Sequence, residues 1–259
     1  MAGIPPFSRF IVPETYLNPI VGVSCRLEDH DSGEHSHPMG QIVFTCQGCL
    51  RIRFAYPAFL CMLPPTRIAW IPPGVVHHAR IRRPVEYRSV YIGAPYVDAL
   101  PSTPQVMAIT PLLKELLIHI CHAPFDTDWS TGKANQIIDL CVAEMRDAPR
   151  HTLLLPLPSD RRLAMLGQHP ERLPPALGEL ARQVGACERT IARMVRRDTG
   201  MSYQEWRQQW KLFRAIEMLT VDERLSTVAQ ELGFTSDSAF IAFFRGMTGT
   251  TPKAYCRHE

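Results

Sequence analysis

Proline is nearly absent from the last third of this sequence. Of 23 prolines in 259 residues, 22 lie in residues 1–175, and Pro252 stands alone beyond them. Proline fixes φ and lacks an N–H, so it interrupts helix interiors and central strands. Its scarcity after residue 175 leaves room for unbroken helices, and its density before that point demands turns. The split predicts two domains. No run of 18 apolar residues occurs, so no membrane-spanning helix and no membrane partner are expected; the most apolar stretch, 111–121, is broken by Lys114, Glu115 and His119. The opening Met-Ala-Gly-Ile-Pro-Pro has no basic segment followed by an apolar one, which predicts no secretory signal. Eight cysteines without such a signal are expected as reduced thiols in a cytoplasm. Net charge is also small, +3 overall, with 13 Lys/Arg against 11 Asp/Glu after residue 170. Any case for nucleic acid therefore rests on local placement. Hydrophobic residues are plentiful, 46% against 20% charged, which excludes disorder and supplies a sizeable core.

Between about 21 and 100, short apolar runs at 41–46, 50–56, 68–71, 75–81 and 86–92 are cut by Pro57, Pro64-Pro65 and Pro72-Pro73-Gly74. That rhythm predicts an all-β sandwich or barrel. Periodicity then changes, and residues 101–167 read as a connecting region with helices at 110–122, 129–147 and 161–167, its loop at 155–160. Residues 1–20 form a Pro-rich arm, 168–175 a linker, and 176–259 a helical domain. The whole is expected as α+β in two domains.

The helical domain repeats itself. Ala181–Gly185 matches Ala229–Gly233 at an offset of 48, and Ile191, Met194, Val195 and Gly200 match Phe240, Phe243, Phe244 and Gly249 at an offset of 49. Each copy predicts a short helix, a glycine turn and a second helix, which is the helix-turn-helix unit whose second helix can enter the DNA major groove. Between them lies a Trp-bearing helix opened by a capping-box pattern, Ser202 and Glu205. On 187–197, Arg189 and Arg193 share one face, where arginine can reach guanine edges; Arg196 and Arg197 are placed for phosphates. Outward positions of the second copy are Ser236, Asp237, Ser238, Ala242 and Arg245, a less basic set expected to position more than to read.

Residues 176–255 resemble the DNA-binding domain of the AraC/XylS family of bacterial transcription regulators. The resemblance is carried by Leu180-Ala181, Gly185, Arg193-Met194, Thr199-Gly200, Leu232-Gly233-Phe234, Phe243-Phe244-Arg245 and the closing stretch Gly249-Thr-Thr-Pro-Lys-Ala-Tyr255. It implies a seven-helix domain with two helix-turn-helix units in successive major grooves of double-stranded promoter DNA. The family's base-contacting positions fall on Arg189, Thr190, Ala192 and Arg193, and on Asp237, Ser238 and Ala242. The last three depart from the basic or amide residues often found there. Homodimers and contact with RNA polymerase are further implications, with Leu112, Leu113, Leu116, Leu117 and Ile120 as candidate dimer contacts; packing on the chain's own sheets is the alternative.

A second motif lies in the β region. His35 and His37 are two apart and share one face if extended, Gln41 follows, and Pro72-Pro73-Gly74 makes a turn before a strand opening with His77. Three imidazoles and an amide oxygen suit Zn, Ni, Co, Fe or Mn; a metal-free cavity whose histidines bond an organic effector is the alternative. The pattern resembles the two motifs of the cupin barrel found in effector domains of AraC-type regulators. It departs in Gln41, where cupin enzymes usually carry Glu, which weighs against the competing reading, a metal-dependent dioxygenase or isomerase fused to a DNA-binding domain. The HSHPxGQ and WIPPGxxH stretches also resemble the subgroup that includes regulators of drug or nitroimidazole-resistance efflux transporters, implying an adjacent transporter gene as target. Cys46 and Cys49 form a lone CxxC across a hairpin turn at Gly48, read as ordinary strand and turn cysteines. The sequence thus predicts a regulator, with no catalytic residue.

Overall fold

The computed structural model describes residues 18–55, 58–149, 154–168, 172–221 and 223–257. Most of the expected arm, residues 1–17, and residues 169–171 of the expected linker lie outside them.

The N-terminal half is two antiparallel sheets. The first has strand order β1 (Ile20–Leu27), β8 (Val85–Ile92), β3 (Gly40–Gln47), β6 (Arg67–Ile71), β9 (Gln105–Ala108). The second runs β10 (Leu154–Pro156), β5 (Phe59–Leu63), β4 (Leu50–Phe54), β7 (His77–Ile81), β2 (His30–Asp31). Among the described residues no ladder joins the two sheets, so the expected barrel is an open sandwich. Val43, Ala69, Ile71 and Tyr87 of the first sheet meet Ile52, Phe54, Leu63 and Ile81 of the second in one buried cluster. Two strands lie where helices or loop were expected. β9 adds to the edge of β6, and β10 adds to the edge of β5. Pro156 pairs with Phe59 at that edge, where a missing donor is tolerated, so the prolines read as loop did not prevent pairing.

The outer face of each sheet is also covered. Ile42, Phe44, Trp70 and Val90 of the first sheet pack against α1 (Pro111–His122) and α2 (Gly132–Asp147). Here lies a correction: Leu113, Leu117 and Ile120 are fully buried in this cluster, so they are core residues and cannot meet a partner; Leu112 remains exposed. Gly22 makes the close approach possible, because a Cβ there would stand 2.2 Å from the Ile120 carbonyl oxygen.

The outer face of the second sheet meets the C-terminal helices. Leu60, Met62 and Leu155 share a cluster with Trp206, Trp210 and Ile216. The expected helix at 161–167 is a 3-10 turn at Arg161–Leu163 followed by α3 (Met165–Gln168). Beyond it come α4 (Leu177–Gln183), α5 (Glu188–Thr199), α6 (Tyr203–Leu219), α7 (Leu225–Glu231), α8 (Asp237–Thr248) and α9 (Pro252–Arg257). The repeat offsets recur as geometry. α4 and α7 end alike, with Ala186 N–H donating to the Ala181 carbonyl at 3.0 Å and Phe234 N–H to the Ala229 carbonyl at 2.9 Å. α5 and α8 both end on left-handed glycines, Gly200 at φ 75° and Gly249 at φ 78°. α6 opens with the anticipated capping box of Ser202 and Glu205.

Candidate effector cluster and nucleic-acid interface

The first site forms where the 35–41 segment crosses the second sheet. His35 and His77 pair as an isolated antiparallel bridge, which brings their rings to 4.3 Å between centroids; His37 lies 5.1 Å from His77. Gly74 N–H donates to the His37 carbonyl at 2.9 Å, so the Pro72-Pro73-Gly74 turn is tied to the same segment. His37, Gln41 and His77 are buried, His35 partly so. His78 points the other way, onto Asp31 at 2.6 Å.

Each of the three imidazoles has Nδ1 against a backbone carbonyl: His35 on Gly33 at 3.1 Å, His37 on Met39 at 2.5 Å, His77 on Val75 at 2.9 Å. A carbonyl can only accept, so Nδ1 carries the proton in each ring and Nε2 keeps its lone pair in the neutral form. Burial, first among the causes, lowers the pKa of His37 and brings that of His77 down to about 4, so both are neutral near pH 7. His37 Nε2 lies 3.1 Å from Gln41 Oε1. Two acceptors at that distance repel unless a proton or cation lies between them, or the amide turns so that its NH₂ donates to the ring. The amide nitrogen of Gln41 in turn faces the hydroxyls of Tyr87 (3.2 Å), Ser89 (2.9 Å) and Tyr91 (3.0 Å). This hydroxyl triad was not among the residues expected from the sequence. Its signal is the period of two along β8, which puts 87, 89 and 91 on one face. The cluster thus offers electron pairs to a hydrogen-bond donor or a cation. No group of three or more His, Cys, Asp or Glu among the described residues is placed to hold a metal ion, so the imidazoles are neighbours without being a preformed ligand set.

The second site is the outer face of the repeat. On α5, Ile191, Met194 and Val195 are buried while Arg189, Arg193, Arg196 and Arg197 are exposed; Thr190 and Ala192 sit half-buried beside them. Arg189 and Arg193 make no ion pair among the described residues. Arg197 pairs with Asp198 at 2.7 Å, and Asp198 also accepts from the Ser159 backbone and hydroxyl, both at 2.9 Å. That network engages Arg197 before any phosphate does. On α8, Asp237, Ser238, Ala242 and Arg245 are exposed, and Phe240 and Phe244 are buried. The second face carries one cation and one acid where the first carries four cations.

A ligand-binding sandwich joined to a doubled helix-turn-helix defines a class, the two-domain transcription regulators. The family pattern described as "AraC-like ligand binding domain" matches residues 18–129, and that described as "Helix-turn-helix domain" matches 180–258. The chain is 30% identical over 224 residues to the HTH-type transcriptional regulator NimR of Escherichia coli, spanning 85% of this chain and 81% of that one. It is 33% identical over 103 residues to the HTH-type transcriptional regulator RipA of Corynebacterium glutamicum, 39% of this chain and 31% of that one. Among solved structures, fatty-acid-bound ToxT of Vibrio cholerae aligns over 92% of this chain and 94% of its own, at 8% identity and a TM-score of 0.37. The chain belongs to the AraC family of DNA-binding transcription regulators, and its named relatives are regulators, not enzymes. No helix among the described residues is long and apolar enough to cross a membrane.

Proposed function

We propose that the chain is a cytoplasmic one-component regulator that reads promoter DNA through α5, and that the cluster of His35, His37, Gln41 and His77 receives its effector. The carrying observation is the set of three Nδ1–carbonyl bonds, which makes Nε2 the accepting nitrogen of each ring, that of His37 lying 3.1 Å from the Gln41 amide. The effector is a small molecule that donates hydrogen bonds there, such as an alcohol or amine. A divalent ion among Zn, Ni, Co, Fe and Mn is the second reading. The same tautomers favour it, since metal-bound histidines commonly give their other ring N–H to a carbonyl, but it requires the rings to close up. A homodimer on the promoter, contact with RNA polymerase and an adjacent efflux transporter gene as target complete the proposal.

In this arrangement effector binding is transmitted only if it favours one domain arrangement over another. The test is footprinting on the chain's own upstream region together with elemental analysis of protein purified without chelator. About one divalent metal per chain, lost in His37→Ala, selects the metal reading. A metal-free protein whose footprint responds to an effector through His37 selects the organic one. A response unchanged in both His37→Ala and His77→Ala refutes the site.

A further inference from the structure

We propose that the cavity between the first sheet and the end of α8 is a second ligand site, one for an anionic small molecule with an apolar body. It is independent of the histidine cluster. The cavity holds about 560 Å³, within the range that takes small ligands, and domain junctions are favoured places for such sites. Three walls meet there: Thr66 and Arg67 at the start of β6, Ile109 and Lys114 around the start of α1, and Thr250 with Tyr255 from the C-terminal domain.

Arg67 is the observation that points to an anion. Its Nη1 donates to the Thr66 carbonyl at 2.8 Å, but its Nε is buried with no hydrogen-bond partner. The Thr66 hydroxyl is buried and unpartnered as well. No carboxylate among the described residues pairs with Arg67. Arg67 is half-buried and has no carboxylate among those residues to balance its charge, and burial, first among the causes, lowers its pKa. Lys114 adds a second cation without an ion pair among the described residues, against one lining acid, the exposed Glu115. Beside these groups, Ile109, Pro65 and the Tyr255 ring supply apolar surface. A carboxylate or phosphate in the cavity would meet the Arg67 guanidinium and the Lys114 ammonium, and its body would lie against Ile109 and Tyr255. Because Thr250 belongs to the loop that follows α8, an occupant ties the second helix-turn-helix unit to the sheets.

The test is calorimetric titration of the full chain with benzoate, phenyl phosphate and benzamide, the last being the neutral counterpart. At least one acid should bind saturably at about one per chain, with benzamide at least tenfold weaker; which acid binds identifies the head group. Arg67→Met should weaken the acid at least tenfold, and Lys114→Met, on a partly exposed helix position, severalfold. His37→Ala should leave it unchanged, which separates this site from the effector cluster. The proposal is overturned if neither acid saturates, if benzamide binds as tightly as the acids, if Arg67→Met and Lys114→Met both bind as the wild type does, or if His37→Ala abolishes binding.

Discussion

A buried ion pair joins the two domains, and its halves should be unequal under mutation. Arg51 of β4 meets Glu217 of α6 with Nη2 2.9 and 2.8 Å from the two carboxylate oxygens. The Arg51 side chain is 5% exposed and that of Glu217 14%. Glu217 has a second cation, Arg214 at 2.7 Å, and Arg214 also reaches Glu231 at 3.3 Å. Removing the carboxylate in Glu217→Gln leaves a buried guanidinium without the charge that clamps it. Breaking a buried pair in that way costs about 3–5 kcal/mol, and since glutamine still offers one acceptor, about 3 kcal/mol is expected. Removing the cation in Arg51→Met leaves Glu217 held by Arg214 and puts an apolar stem in the same place. The lost charged hydrogen bonds, partly offset, should cost about 1 kcal/mol.

The assay is thermal unfolding at pH 7 followed by tryptophan fluorescence, in which Trp206 and Trp210, buried in α6, report on this joint. At about 2–4 °C per kcal/mol for a chain of this size, the melting temperature should fall by about 6–12 °C in Glu217→Gln and about 2–4 °C in Arg51→Met. The double variant should cost less than the sum of the two, because the guanidinium stranded by the first change is gone in the second. Equal costs, or a larger one for Arg51→Met, would refute the claim that Arg214 shares the carboxylate and that burial at Arg51 sets the asymmetry.

Further outcomes are expected. Arg193→Ala should weaken operator binding by about 1–3 kcal/mol and relax base preference at one position, while Asp237→Ala should leave the base preference intact; competition binding on single-substituted operators measures both. Cys187 is exposed, and the Thr190 hydroxyl beside it lowers its pKa, whereas burial raises Cys25 to about 11 and Cys121 and Cys141 to about 12. Labelling with a thiol-reactive disulfide should therefore lose about one equivalent of its fast phase in Cys187→Ser. Gly200→Ala meets open space but a left-handed φ of 75°, which should cost about 1–2 kcal/mol; Gly22→Ala drives a Cβ into the backbone of α1 and should cost about 3 kcal/mol in the same melts.

Features that local pattern determines are legible in the amino-acid sequence. Offsets of 48 and 49 in the C-terminal repeat predict two equivalent turns, because glycine at a left-handed φ and a 3.6-residue stripe are properties of the segment itself. His35, His37, Gln41 and His77 are legible as a set for a similar reason, since a turn and an extended spacing fix where they point. Legibility ends where pairing is decided by distant partners. β10 is obscured by Pro156 and Pro158, and it exists only because the edge of β5 is available to it. The five-residue apolar run Phe59–Leu63 carries the overlooked signal for the domain joint. A strand apolar at every position must be covered on both faces, and the outer cover is α6.

That joint links the histidine cluster to the DNA-binding domain by a short route. In β4, Phe54 sits across from His77 with its ring 6.2 Å from the imidazole, while Arg51, three residues earlier and on the opposite face, grips Glu217. One strand therefore touches the imidazoles on its inner side and α6 on its outer side. β4 cannot transmit by sliding, since a one-residue slip would bury Arg53 and expose Ile52. On the proposal that His77 meets an effector, a tilt of β4 with the second sheet would act on α6 through the Arg51–Glu217 contact. A pair with both members nearly buried loses strength as it opens, because its low-dielectric surroundings hold little water to replace the hydrogen bonds that the carboxylate accepted. On the same proposal, this pair is the contact through which a change around His77 would reach α6.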